Sequence, residues 1–279
     1  MEAILNEEKI LKFGRYLVQE ERSAATVEKY LRDVKYFYGF CEGAPLTKEK
    51  IIEYKSRLVD KYTPRSANSM LAALNAFLRF IGRLDLCVRQ FKIQREAYIS
   101  AEREITKAEY ESLCIAAKRK RNEKLSLIIQ TICSTGIRVS ELRYVSVEAC
   151  RTGEAVVSCK GKTRRIFILD KLRKSLLAYC KREGIASGAV FVTRGGAPIS
   201  RNSVWRQMKS LCKEAGVEPT KVFPHNLRHL FARTFYGIEK DIAKLADILG
   251  HASINTTRIY IVTTGEEHRR KMENMRLLL

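Results

Sequence analysis

A chain of 279 residues, 46% of them hydrophobic, is long enough for two domains with separate cores and too apolar to remain disordered. It carries 52 Lys and Arg against 31 Asp and Glu, a net charge of +21, unevenly spread: residues 1–100 hold 18 basic and 13 acidic side chains, residues 101–279 hold 34 and 18. That balance points to a polyanionic partner, nucleic acid ahead of a membrane surface. No apolar run approaches the ~18 residues of a membrane span and Met1-Glu2-Ala3 opens no signal peptide, so a cytoplasmic protein with no membrane partner is expected.

In chain order, Asn6 is placed to cap a helix carrying Ile10, Leu11, Phe13, Tyr16 and Leu17. A second helix begins near Ser23 or Thr26, buries Tyr30, Leu31, Val34, Phe37, Tyr38 and Cys41, and stops at Gly43. Thr47 caps a third, with Ile51, Tyr54 and Leu58 on one face. Thr63-Pro64 joins a cap to a first-turn proline and opens a stripe of Met70, Leu71, Leu74, Phe77, Leu78 and Ile81, ending at Gly82. Four such helices with short links predict a compact bundle over residues 1–83. Across residues 84–103 the helical pattern lapses among scattered Arg and Lys, which reads as an interdomain linker. Thr106-x-x-Glu109 is a capping box that starts a second domain, residues 104–279.

Residues 126–133 form an apolar helix leading into Thr135-Gly136. The β-prone runs 155–159 and 165–169, joined by residues 160–163 (KGKT), predict a hairpin with a glycine at its turn. Helices follow over 171–183 and 200–215, each with a glycine at its end. The fold class is therefore mainly α, a helical bundle followed by a mostly α domain with one small antiparallel sheet. Eight cysteines (Cys41, Cys87, Cys114, Cys133, Cys150, Cys159, Cys180, Cys212) lack CxxC or CxxH spacing and read as reduced small hydrophobes.

The chemistry concentrates between Pro224 and Tyr260. His225 and Arg228, three apart behind a helix-opening proline, project to one side of a helix. Gly250 reads as a helix stop, His251 follows it, and Tyr260 comes nine residues later, after the candidate caps Ser253 and Asn255. No carboxylate lies between Asp247 and Glu266. Two imidazoles, a guanidinium and a phenol suit an anionic phosphodiester better than a metal or an acyl group. No acidic cluster is present to hold a divalent ion, and no cofactor is expected.

TGIRVSEL (135–142), HNLRH (225–229), LGH (249–251) and the tyrosine nine residues on resemble the signature of the tyrosine recombinase (integrase) family, and the likeness runs from about Ser23 to Tyr260. The resemblance implies a site-specific DNA recombinase that cleaves and rejoins strands through a 3′-phosphotyrosyl bond, with neither metal nor ATP. It assigns Tyr260 as nucleophile in preference to Tyr236, which breaks the spacing. Arg138 and Arg228 would grip the non-bridging oxygens, His225 would act as base or donor beside the tyrosine, and His251 would bind a non-bridging oxygen. CKGKTRRIFIL (159–169) resembles the family's hairpin-lysine motif, making Lys160 the general acid, with Lys162 a rival. Glu141 would orient an arginine from behind; His229 reads as structural and His268 as solvent-facing. Leu230 and Cys159 depart from the family pattern without removing a catalytic group.

The resemblance also implies that the first domain is the core-binding domain, with basic residues such as Lys29 and Arg65 toward DNA. With helical patterning from Asn6, no arm-binding domain is expected, and the resemblance is to Xer-like or transposon-type enzymes. The expected partner is duplex DNA with inverted-repeat sites, bound by a homotetramer whose tail, with Met272, Met275 and residues 277–279 apolar, docks in a neighbouring protomer. A nucleoid-associated cytoplasmic location would follow. Two other functions share parts of this pattern: a type IB topoisomerase, and a DNA-binding regulator without catalysis.

Overall fold

A side chain starts each helix of the amino-terminal part. Asn6 accepts from the Lys9 amide before α1 (Glu7–Gln19), and Ser23 from Thr26 before α2 (Ala24–Cys41). Thr47 accepts from Lys50 before α3 (Lys48–Lys61), and Thr63 from Ser66 before α4 (Pro64–Phe80). Each relieves an amide that the helix leaves without an internal partner. The computed structural model describes residues 6–93, 103–159, 162–251, 253–260, 269 and 272–275, in two compact units, Met1–Arg95 and Glu96–Leu279. No helix among the described residues is long and apolar enough to cross a membrane.

In the first unit the apolar stripes of α1–α4 meet around Phe13, Phe37, Tyr54 and Phe77, all buried, with Phe13 edge-on to Phe77 at 5.3 Å between ring centres. Lys29 does not stand free. Its ammonium lies 2.5 Å from the buried Asp33 carboxylate and 3.3 Å from the Ser69 carbonyl. Packing continues past Gly82: a 3-10 turn (Leu84–Leu86) leads Leu86 and Val88 into the same core. Two asparagines seven apart on α4 clasp the outgoing backbone. Asn75 exchanges two hydrogen bonds with Val88 (2.8 and 3.0 Å), and Asn68 two with Phe91 (2.9 and 2.8 Å). The helical pattern does lapse here, yet the chain through Phe91 is bonded to the first unit. Residues 94–102 of the expected linker lie outside the described residues.

The second unit opens on the anticipated capping box: the Glu109 amide donates to Thr106 Oγ1 (3.1 Å) and the Thr106 amide to Glu109 Oε2 (2.8 Å), starting α5 (Lys107–Arg119). α6 (Glu123–Thr135) runs through the core with Leu125, Ile128, Ile129 and Ile132 buried. A 3-10 turn (Val139–Tyr144) and α7 (Val147–Thr152) lead to the hairpin of β1 (Glu154–Cys159) and β2 (Lys162–Phe167). Its register pairs Cys159 with Lys162. The strands thus reach further toward each other than the sequence suggests, with Lys160 and Gly161 between them, outside the described residues. After α8 (Asp170–Arg182), the helix anticipated over 200–215 divides into α9 (Arg201–Lys209) and α10 (Cys212–Ala215). Ser210 sits at the break with its hydroxyl donating to Gln207 O (2.8 Å), a local bond that competes with the helical ladder. Three helices follow: α11 (Pro224–Glu239), α12 (Ile242–Leu249) and α13 (Ile254–Arg258), the last capped by Ser253.

Candidate active site

The carboxyl end of α12 organises the site. Gly250, left-handed at φ +64°, stops that helix, and the His251 amide returns to Ala246 O at 2.9 Å. The last carbonyls carry the negative end of the helix dipole. Three arginines from separate segments bind them in succession. Arg164 Nη1 donates to Ile248 O (3.0 Å), Arg228 Nη2 to Leu249 O (2.7 Å) and Arg138 Nη2 to Gly250 O (3.5 Å). Arg228 also donates to Gly136 O at the end of α6. β2, α11 and the turn after α6 are thereby drawn to one point.

Glu141 balances part of this charge. It accepts from Arg138 Nη1 (3.0 Å), the Arg138 amide (2.8 Å) and Arg164 Nη2 (2.5 Å). Burial would raise its pKa, but the Arg138 amide and the Arg164 guanidinium outweigh that and hold it below the usual carboxylate range. Three guanidiniums against this carboxylate leave a cationic excess, the field an anion would seek.

Imidazoles surround the phenol. The Tyr260 ring stacks on His251 (5.2 Å between centres, 28°), meets His229 at 4.3 Å and His225 at 5.5 Å, and its hydroxyl lies 3.4 Å from His225 Nε2. The residue is 5% exposed and packs with Ala232, Leu245 and Leu249. Burial, followed by the charges of His229, Arg228, Arg138 and Arg201, pushes His225 down to about 4. Burial and the arginines 228, 138 and 164 do the same to His251, also to about 4, so both are neutral at pH 7. A guanidinium only donates, so the 2.9 Å contact from Arg228 Nη2 makes His251 Nε2 an acceptor. The ring proton then sits on Nδ1, facing Thr257 Oγ1 at 2.8 Å. Arg228 is 1% exposed, and burial with the neighbouring Arg138 lowers its pKa to about 10.

Arg138, Glu141, His225, Arg228, His229, His251 and Tyr260 thus lie in one cluster. Tyr236 instead packs near the end of α11, under the Lys240 ammonium. Lys160, the side chain of Lys162, and His268 lie outside the described residues; in the tail, Met272 and Met275 are exposed. Sequence reasoning missed Arg164, Thr257 and Glu104. For Arg164 a signal existed: it shares the strand face of Ile166, which is buried, so it points inward. Among the described residues no three His, Cys, Asp or Glu side chains are grouped as a metal ion would need.

The model of the phage integrase family matches residues 103–267, and that of the phage integrase N-terminal SAM-like domain matches residues 10–83. The chain belongs to the phage integrase family. This integrase is 30% identical over 288 residues to tyrosine recombinase XerA of Pyrococcus furiosus, covering 99% of this chain and 97% of that one. To tyrosine recombinase XerD of Listeria innocua it is 24% identical, over 89% and 91% of the two chains. Its fold is shared with the crystal structure of XerA recombinase (TM-score 0.55, 24% identity, 98% and 99% of the chains). It is also shared with a lambda integrase dimer bound to a COC' core site (TM-score 0.74, 19% identity, 93% and 77%). The integrase is a tyrosine recombinase, an enzyme of site-specific DNA recombination.

Proposed function

We propose that Tyr260 is the nucleophile with which this recombinase opens DNA strands. The observation that carries the proposal is the phenol hydroxyl 3.4 Å from a neutral His225 Nε2, inside a cage of cationic side chains. The phenol oxygen attacks phosphorus as the bond to the 5′ oxygen breaks, leaving a 3′-phosphotyrosyl ester and a free 5′ hydroxyl. His225 takes the phenolic proton; a phenol with a pKa near ~10 needs such an acceptor. Arg138 and Arg228 present planar forks to the non-bridging oxygens, where charge grows in the transition state. His251 here holds the Arg228 fork by accepting from it. A phosphodiester beside them takes over as acceptor and raises the imidazole's proton affinity, so that the ring can donate in turn. Lys160 protonates the departing 5′ oxygen, with Lys162 the alternative.

Rejoining is the same exchange in reverse, with the bond energy kept in the aryl phosphate. Residues 1–83 would serve as the core-binding domain, 84–103 as the linker and 104–279 as the catalytic domain. The partner is duplex DNA with inverted repeats, and four protomers assemble on paired sites with tails docked in trans, in a nucleoid-associated cytoplasmic setting. The test uses nicked suicide duplexes carrying inverted repeats from the DNA beside the gene, in EDTA. A covalent adduct on these and not on scrambled duplexes is the expected result, with binding that weakens steeply as salt rises. Relaxation of any supercoiled plasmid would favour a type IB topoisomerase instead, and binding without an adduct a silent regulator.

A further inference from the structure

Glu104 is a buried carboxylate that the chemistry above does not use. Its neighbours in the chain are held along one side of α11. Asn226 Nδ2 donates to Arg103 O (3.0 Å) and Arg233 Nη2 to Ile105 O (2.8 Å). Residues 226, 229 and 233 recur at helical spacing, so His229 belongs to the same face. Between them, Glu104 Oε1 faces His229 Nδ1 at 3.4 Å and Oε2 lies 2.8 Å from Arg233 Nε. Glu104 Oε2, His229 Nδ1 and Arg233 Nε are all buried and make no hydrogen bond of regular geometry among the described residues, so these close approaches are the only polar company that each has there. Burial would raise the Glu104 pKa, but His229 and Arg233 outweigh it and keep the group ionised at neutral pH. The His229 ring in turn lies 4.3 Å from Tyr260 and 4.8 Å from His225, centre to centre.

Resting on the reading of Tyr260 as nucleophile, we propose that Glu104 is a positioning residue for strand cleavage. It fixes the tautomer and tilt of His229, and through that ring the placement of the phenol. An ionised carboxylate can accept on both oxygens, so at these distances it attracts Arg233 and the Nδ1–H of His229 together. Glutamine has the same shape but one acceptor. Arg233 can only donate and so claims the amide oxygen, leaving the NH2 group toward His229 Nδ1. That nitrogen must then surrender its proton, which reverses the tautomer. Acid-to-amide replacement behind the catalytic imidazole of a serine protease triad acts in the same way.

The test measures single-turnover adduct formation on a nicked suicide duplex, beside affinity for the intact duplex. Glu104→Gln should cleave about tenfold more slowly or worse, the value of one charge-assisted hydrogen bond, with affinity unchanged. His229→Asn should also slow cleavage, and the double variant should be no slower than the slower single one, because both changes break one path. Losses that multiply in the double variant, a wild-type rate for Glu104→Gln, or a parallel fall in affinity would each overturn the proposal. Tyr260→Phe run alongside separates the two readings. An adduct retained there removes the nucleophile assignment itself, whereas its loss together with multiplying Glu104 and His229 effects removes only the positioning role.

Discussion

Arg228→Ala is expected to slow strand cleavage by about 10²–10³-fold, the usual loss when one preorganised donor to a developing anion is removed. The guanidinium does two things at once. In the proposed mechanism it offers charge to the scissile phosphate, and in the structure it ties Gly136 O, Leu249 O and His251 Nε2 together, so three segments of the cluster lose their common partner. Arg228→Lys should recover little, because one ammonium cannot span acceptors on α6, α12 and the following loop. Single-turnover cleavage at saturating protein is the measurement, since the interaction is strongest in the transition state and the loss falls on the rate. Near-wild-type cleavage by Arg228→Ala would mean that the cage is not where the reaction occurs.

Gly136→Ala is expected to destabilise the fold by about 2–4 kcal/mol, from a strained backbone and an overfilled contact. The residue sits at φ +63°, and a Cβ there would lie 2.5 Å from Phe231 Cδ1, 2.7 Å from Cε1 and 3.0 Å from Leu249 Cδ2. Relief requires moving the Phe231 ring or the Leu249 side chain, next to the Gly136 and Leu249 carbonyls that hold Arg228. Gly184→Ala isolates the backbone part: φ is +69° but nothing lies within 4 Å of its Cβ, so about 1 kcal/mol is expected. Urea unfolding of both variants checks the difference. Equal losses would show that crowding at Phe231 contributes nothing.

What the sequence reveals here is what depends on near neighbours. Asn6, Ser23, Thr47, Thr63 and Thr106 each cap a helix by bonding an amide three residues on, so spacing alone locates them. The boxes around Arg138, Arg228, His251 and Tyr260 are legible for a related reason, since their spacing is a motif in itself. What stayed hidden depends on partners far along the chain. Arg164 reaches Ile248 O across 84 positions, and nothing local marks that carbonyl as its acceptor. Glu104 meets His229 and Arg233 only after α11 folds back beside it, and Lys29 reads as a free surface cation until Asp33 and Ser69 are seen beside its ammonium. The break at Ser210 escaped notice because a serine inside a helical pattern is ordinarily tolerated, and only the bond to Gln207 shows that it ends the run.

The proposed mechanism comes down to one displacement, by the Tyr260 oxygen at a phosphodiester. Trapping the adduct on a nicked suicide duplex, digesting it and mapping the nucleotide-bearing peptide tests this most directly, with Tyr260→Phe as the companion sample. The expected result is a 3′-linked nucleotide on Tyr260 and no adduct from Tyr260→Phe. A nucleotide on Tyr236 or any other residue, or an undiminished adduct from Tyr260→Phe, would contradict it.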